Sequence, residues 1–251
     1  MSTATSYLSM TRLTNVERKA RLDLFRRQLR SDLLAGRADR WEVSCPRDQL
    51  EKFRFFARKT ELFVDQAETS EVESLRQSVK HLSKDEQDEF WLSNYPVHWD
   101  EIFRSTIRSS VVVSVATFLE TLVTRHCYRV AVIMKSEAPE FGRDTLKTAR
   151  DFLKATGGFQ KPRSSEWNEI SVFFKIRNEL VHSPQVGKLP KRREEIERFC
   201  RSHDGIRLHH GVVEMEPKFL EFIIDQLVTF ASQLDSEFTL LCERTRNLEQ
   251  F

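Results

Sequence analysis

The 251-residue sequence contains few of the residues that mark loop-rich, disulfide-bonded or secreted proteins. Seven glycines and seven prolines are too few for an all-β fold with many tight turns. The four cysteines are widely spaced and form no C-x-x-C pair, which excludes zinc ribbons and thioredoxin-type motifs. The first ten residues are polar and resemble no secretory signal. We therefore expect a mainly helical protein of the reducing cytoplasm.

Common catalytic signatures and membrane-spanning segments are also missing. The sequence has no P-loop and no G-x-G-x-x-G, G-x-S-x-G or H-E-x-x-H motif. The most apolar stretch, residues 111–123, is interrupted by Ser114, Thr117, Glu120 and Thr121. Such a stretch is too short and too polar for a bilayer span and predicts a buried helix. We predict no cofactor, no bound metal and no membrane partner.

The residues that are present are sufficient for a large core and carry an uneven charge. The sequence includes nineteen phenylalanines, which can bury enough apolar surface for a stable globular fold. Net charge is +6 over residues 1–64, −6 over residues 65–100 and +2 over residues 101–251. A basic N-terminal part suits a phosphate-bearing partner. The alternative, which mixed-sign helix faces favour, is that these charges lie on solvated faces and pair with the acidic block.

The spacing of apolar residues predicts a series of helices and one hairpin. Capping boxes begin helices after Thr14 and after Ser83, and residues 206–215 alternate around Gly211 as in a small β-hairpin. The predicted helices cover residues 15–35, 46–67, 84–91, 99–134, 144–155, 164–182, 191–202 and 217–241. Residues Val111–Val115 taken alone could also form a strand, but the length of the periodic apolar pattern around them favours a helix. The predicted fold class is all-α.

Chemistry is concentrated in residues 177–182, Arg-Asn-Glu-Leu-Val-His, at the end of an apolar helix. Pro184 stops this helix near His182. On a helix Asn178 and His182 lie about 40° apart, and the long Arg177 side chain can reach round from about 140°. An imidazole can exchange the protons of RNA transesterification, and a guanidinium can stabilise the charge that gathers on phosphorus. This chemistry requires no metal.

The spacing R-x4-H is a weak signal when it stands alone. The sequence contains three such pairs, Arg76/His81, Arg177/His182 and Arg198/His203, where chance gives roughly one. The middle pair alone has an asparagine after the arginine, two phenylalanines before it and a proline behind it. The alternative is structural: Arg177 pairs with a core acid such as Glu120, and His182 caps its helix.

Residues 176–184, Ile-Arg-Asn-Glu-Leu-Val-His-Ser-Pro, resemble the R-x4-6-H signature of HEPN domains (higher eukaryotes and prokaryotes nucleotide-binding). Residues 108–120, which end in Phe-Leu-Glu, resemble the first core helix of that superfamily. The hairpin and the helix at Pro217 are similar to the last part of several HEPN families. The resemblance extends over about residues 96–245. It implies a four-helix bundle in a domain of residues 96–251, preceded by an N-terminal helical extension of residues 1–95.

The resemblance also implies a function and a set of roles. Many HEPN proteins are metal-independent endoribonucleases, in which two motifs meet across a homodimer and which act in toxin–antitoxin or phage-defence systems. Carried over, Arg177 and His182 are the catalytic pair, Asn178 is a polar helper, and Glu120 is a supporting acid that positions Arg177. Expected partners are RNA, a second copy and an antitoxin or other protein. Two alternatives remain: a non-catalytic HEPN module that binds RNA, nucleotide or protein, and a helical adaptor protein.

Overall fold

The computed structural model describes residues 15–36, 46–96, 98–142, 144–182 and 190–249, without the side chains of residues 15–18, 21–22, 182 and 190–192. The regular secondary structure of the described residues is helical apart from one two-stranded hairpin. The helices are α1 Asn15–Leu34, α2 Pro46–Ser78, α3 Lys84–Asn94, a π-helix Trp99–Arg104, α4 Ser105–Met134, α5 Thr145–Gly157, α6 Ser164–His182, α7 Pro190–Ser202 and α8 Pro217–Glu249. Strands β1 Ile206–His209 and β2 Val212–Met215 lie between α7 and α8. The all-α prediction with one hairpin is confirmed.

Helix ends follow the local chemistry of the sequence. The Ser83 hydroxyl accepts from the N–H of Glu86, and the Glu86 carboxylate accepts from the N–H of Ser83, so the predicted capping box begins α3. Gly158 closes α5 with φ at 67°, and Gly36 follows α1 with φ at 72°. Thr14, the predicted cap of α1, lies outside the described residues.

Several helices differ from their predicted bounds, and α3 and α8 continue to Asn94 and Glu249, past the predicted ends at residues 91 and 241. The prediction ended α2 near Ala67, whereas the helix continues for three further turns to Ser78. Those turns are stabilised from outside the helix, because Glu68 pairs with Arg104 at 2.7 Å and Glu71 accepts from the Trp99 indole at 2.7 Å. Polar contacts of this kind produce no periodic pattern of apolar residues, so the sequence pattern does not predict these turns. The long helix predicted from Trp99 begins instead with one π-helical segment before α4.

Helix α4 is the apolar helix of the structure. Among the described residues one helical stretch, Lys84–Met134, is long and apolar enough by composition to cross a membrane, and 39% of its most apolar window is buried. Core helices of water-soluble proteins meet the same criterion. Because Val112 and Val115 are fully enclosed, this part of α4 packs against other elements as a core helix does.

The described residues form two compact units assembled from separate parts of the chain. The first, here called the hairpin unit, consists of residues 46–121 and 163–232. The second, here called the α5 unit, contains α1, residues 122–162 and the end of α8. The predicted domain boundary between residues 95 and 96 falls inside the hairpin unit. Helices α4 and α8 each contribute residues to both units.

The core of the hairpin unit is formed by one face of each helix and by the inner side of the hairpin. Leu50, Ala57 and Val64 recur every seven residues on α2 and are buried. The Trp167 ring of α6 meets the Phe230 ring of α8 edge-on, with centroids 4.8 Å apart. In the hairpin, His210 and Gly211 both take positive φ, which the two-residue turn between β1 and β2 requires.

The α5 unit joins the beginning of the described chain to its end. Arg30 of α1 donates to both carboxylate oxygens of Glu249 of α8, at 2.6 and 3.2 Å, and to the carbonyl of Ile133 at 3.2 Å. Arg246 of α8 donates in turn to the Leu34 carbonyl at the end of α1. These bonds satisfy helix-end carbonyls that have no partner inside their own helix.

Candidate functional site

Helix α6 carries the Arg-Asn-Glu-Leu-Val-His segment at its C-terminal end. Its inward face is buried at Trp167, Ile170, Phe173 and Ile176, so the helix is anchored up to the residue before the segment. The next two residues, Arg177 and Asn178, are half-buried at the edge of that face. The helix ends at His182, as the proline two residues later predicts.

The Arg177 guanidinium is held by two neutral oxygens. Its Nη1 donates to Oδ1 of Asn178 at 2.9 Å, and its Nη2 lies 3.4 Å from Oγ1 of Thr117 on α4. Its Nε is buried and has no hydrogen-bond partner in the described part of the chain. The guanidinium is therefore oriented by its neighbours while its positive charge is not neutralised by them.

Other partly buried arginines of the same unit are neutralised. Arg104 donates to Asp65 at 2.6 Å and to Glu68 at 2.7 Å. Arg108 donates to both carboxylate oxygens of Glu61 at 2.6 and 2.8 Å. Arg177 has no carboxylate within 4.0 Å among the described residues. A positive charge that the fold leaves uncompensated at a half-buried position suits an external anion such as a phosphodiester.

The structure brings together two of the predicted site residues and leaves a third apart. Asn178 bonds Arg177 directly. Glu120 is half-buried on α4, but within the described residues no hydrogen bond or ion pair joins it to Arg177. The contact from α4 is made by Thr117, one turn earlier on the same helix face. The side chain of His182 lies outside the described part, so its predicted role remains a prediction.

Thr117 is a site residue that the sequence reasoning did not identify. Its only signal in the sequence is its position three residues before Glu120, which places both on one side of α4. It belongs to a row of exposed hydroxyl residues, Ser110, Ser114, Thr117 and Thr121. Thr117 donates its own proton to the Val113 carbonyl at 2.8 Å, which leaves the oxygen lone pairs directed at donors such as Arg177.

The other two R-x4-H pairs do not form comparable sites. Arg76 is exposed and pairs with Glu73 at 3.2 Å. The His203 ring stacks on Phe199 with centroids 4.0 Å apart, and its Nδ1 lies 2.8 Å from the carbonyl of the same residue. Both pairs therefore have local structural explanations.

A cleft of about 930 Å³ lies elsewhere in the hairpin unit, beside the hairpin and the π-helix. Five carboxylates, two arginines and three histidines line it, and Arg177 is not among them. Among the described residues, no group of three His, Cys, Asp or Glu side chains is placed to hold a metal ion. No motif in the sequence predicts this cleft, because its lining comes from two distant segments, residues 100–108 and 200–216.

Most charges in this cleft are paired, Glu214 with Arg207 and His209 inside the cleft and the others with residues beside it. Burial alone would raise the pKa of Glu214, but hydrogen bonds from Arg207 at 2.6 Å and His209 at 3.0 Å lower it. Burial raises the pKa of the Cys200 thiol at the cleft wall to about 11, so that thiol is protonated at neutral pH. Since carboxylates outnumber arginines, this cleft suits a polyanion less well than the Arg177 site does.

Comparison of the chain with protein-family models, with curated proteins and with solved structures finds no match in any of the three. The resemblance to HEPN domains therefore depends on the residues of the motif and its flanks.

Proposed function

We propose that the chain is a HEPN-type, metal-independent endoribonuclease whose active site is built on the end of α6. One observation carries this proposal: the Arg177 guanidinium is oriented by neutral oxygens and has no carboxylate partner among the described residues. An arginine with a purely structural role at a half-buried position is normally paired with an acid. The positions of Asn178 beside Arg177 and of His182 at the helix end agree with the motif.

The proposed reaction is transesterification at phosphorus. The 2′-hydroxyl oxygen attacks the adjacent phosphorus and loses its proton to a base, while the bond from phosphorus to the 5′-oxygen breaks. The imidazolium of His182 gives a proton to that leaving oxygen, and the C-terminal end of a helix favours this charged form. Arg177 stabilises the negative charge on the phosphorane, and Asn178 orients the guanidinium. The products are a 2′,3′-cyclic phosphate and a 5′-hydroxyl.

The same resemblance supplies the proposed setting of the enzyme. We assign residues 96–251 to a HEPN-like four-helix bundle that forms a homodimer, with two copies of the motif facing one cleft. Cytoplasmic RNA is the substrate, and an antitoxin or another protein of a phage-defence system is the expected partner. The resemblance also assigns a supporting role to Glu120, one turn after Thr117 on α4, although the contact to Arg177 from this helix is made by Thr117.

A second candidate function is supported by the same uncompensated charge. A HEPN module that binds RNA or nucleotide without cleaving it also needs an arginine whose charge is left for a phosphate. The two candidates differ only in whether His182 transfers protons.

The test is cleavage of an unstructured RNA by wild-type protein and by His182→Ala, each with and without EDTA. We expect cleavage by the wild type in EDTA, cyclic-phosphate ends, and a loss of roughly 10²- to 10⁴-fold in His182→Ala. His203→Ala, from the R-x4-H pair that stacks locally, is the matched control and should cleave normally. Cleavage that survives His182→Ala or stops in EDTA would contradict the proposal. RNA binding without cleavage by the wild type would select the second candidate.

A further inference from the structure

Helix α2 exposes a row of apolar side chains on the side opposite its buried face. The α2 stripe consists of Phe55, Phe56, Lys59, Leu62 and Phe63, and its four apolar members are 51–66% exposed. Phe56 and Phe63 directly precede the buried Ala57 and Val64, yet both are exposed. Large aromatic side chains clustered on a surface mark an interaction site more often than scattered ones do.

The α2 stripe also carries positive charge that the fold does not neutralise. The ammonium of Lys59 lies 5.6 Å from the centre of the Phe55 ring, and Lys52 is exposed two turns earlier on the same side. Neither lysine has a carboxylate partner among the described residues. Three neighbouring carboxylates are paired with arginines, Glu51 with Arg54, Glu61 with Arg108 and Asp65 with Arg104, while Asp48, one turn before Lys52, is exposed. Lys52 and Lys59 together outweigh Asp48, so the net positive charge of this side suits an anionic occupant.

The α2 stripe begins within one turn of Phe53, the α2 residue that meets α4 beside the turn contacted by Arg177. The Phe53 ring of α2 lies 6.1 Å from the Phe118 ring of α4, and the residue before Phe118 is Thr117, which contacts Arg177. Helices α2 and α4 run antiparallel here, because Glu61 further along α2 pairs with Arg108 earlier on α4.

Helical geometry places the stripe beside the exposed hydroxyls of α4. Around the axis of α2, Phe56 lies about 60° from Phe53, and around the axis of α4, Thr117 lies about 100° from Phe118. Both rotations have the same sign when angles are counted along each chain. Because the two helices are antiparallel, Phe56 and Thr117 therefore lie on the same side of the helix pair. By this geometry Phe56 and Phe63 share one side of the α2–α4 pair with Thr117, which contacts Arg177.

We propose that the α2 stripe is a base-stacking surface for single-stranded RNA that leads the strand to Arg177. This inference rests on the proposed function, because it places the substrate of that site. Exposed aromatic rings interleaved with basic side chains bind single strands by stacking on bases and neutralising phosphates. An apolar helix seated on the stripe would bury the Lys59 charge without a partner, whereas RNA supplies an anion at every nucleotide.

The test measures binding separately from cleavage. A fluorescently labelled, 2′-O-methylated oligoribonucleotide of about twelve nucleotides has no attacking hydroxyl, so its anisotropy reports affinity alone. We expect Phe56→Ala/Phe63→Ala and Lys52→Ala/Lys59→Ala each to weaken binding at least about tenfold. Leu92→Ala and Lys80→Ala, exposed positions away from the stripe, are the matched controls and should bind as the wild type does. Circular dichroism establishes that each variant is folded.

The outcomes separate this inference from the proposed nuclease. Unchanged affinity in folded stripe variants would overturn the stacking surface, even if the wild type cleaves RNA through His182. Stripe-dependent binding together with cleavage that survives His182→Ala would overturn the proposed mechanism and leave the surface in place. Stripe variants that lose self-association, or lose binding to phosphatidylserine vesicles, while still binding the oligonucleotide would also overturn the inference.

Discussion

Two regions of the hairpin unit use arginine in opposite ways. At the junction of α2 with the start of α4, Arg104 pairs with Asp65 and Glu68, and Arg108 pairs with Glu61. Burial alone would lower the pKa of Arg104, yet its bonds to Asp65 and Glu68 raise it. At the end of α6, Arg177 meets only an amide and a hydroxyl among the described residues. The difference shows how one residue type serves the fold where its charge is met internally, and is available to a ligand where it is not.

The largest effect is expected when the uncompensated arginine, Arg177, is removed. We expect Arg177→Ala to slow RNA cleavage by roughly 10²- to 10³-fold, since a positioned charge on the phosphorane is lost. The free energy of unfolding should change by less than about 1 kcal/mol, because no carboxylate is left unpaired. Single-turnover cleavage and urea denaturation measure the two quantities. A large loss of stability with cleavage intact would make Arg177 a structural residue.

Three further variants sharpen the result for Arg177. Arg177→Lys keeps the charge but not the planar fork of donors, so it should restore only part of the rate. The cleavage rates of Glu120→Gln and Thr117→Val show which residue of α4 supports Arg177. If Glu120 is the supporting residue, Glu120→Gln cleaves more slowly than Thr117→Val. Because Thr117 makes the observed contact, we expect the larger loss of rate in Thr117→Val.

The second largest effect is expected on the structural side of the comparison. Arg108→Met leaves the Glu61 carboxylate, 15% exposed, without its partner and removes a donor from the Met215 carbonyl. We expect the free energy of unfolding to fall by about 3 kcal/mol. Denaturation in urea measures this, and the added substitution Glu61→Leu should recover part of the loss. A variant as stable as the wild type would show that the paired region is not structural.

The smallest effect concerns a third charge cluster, in the hairpin. The pKa of Glu214 is lower in the folded than in the unfolded chain, so its contribution to stability is present above its unfolded value of about 4.3. That contribution is lost as the pH falls through the lower folded value. Thermal unfolding between pH 6 and pH 3 should therefore show a shallower acid destabilisation in Glu214→Gln than in the wild type. Equal slopes would mean that the ion pairs with Arg207 and His209 contribute nothing.

The sequence was informative where the cause of structure is local. The capping box at Ser83, the stop at Gly158 and the two-residue turn of the hairpin were all predictable, because each depends on residues within a few positions. The position of Arg177 and Asn178 at the end of a helix was predictable for the same reason. These features need no knowledge of distant contacts.

The remainder of the site depends on contacts between distant segments. Thr117 and Arg177 are sixty positions apart, and a threonine on a helix carries no signal for such a bond. Apolar periodicity predicts a helix at α2 but not which of its apolar side chains are covered, and Phe56 and Phe63 are exposed. The turns of α2 after Ala67 were missed because polar tertiary bonds stabilise them.

The bonds that join α1 to the end of α8 set an order for folding during translation. Arg30 and Glu249 are separated by 219 positions, and the donor to the Leu34 carbonyl, Arg246, lies 212 positions after it. Helix α1 thus leaves the ribosome early, whereas its partners are among the last residues to be made. The α5 unit completes its fold only after this stretch of α8 has been synthesised, whereas every segment of the hairpin unit precedes residue 233.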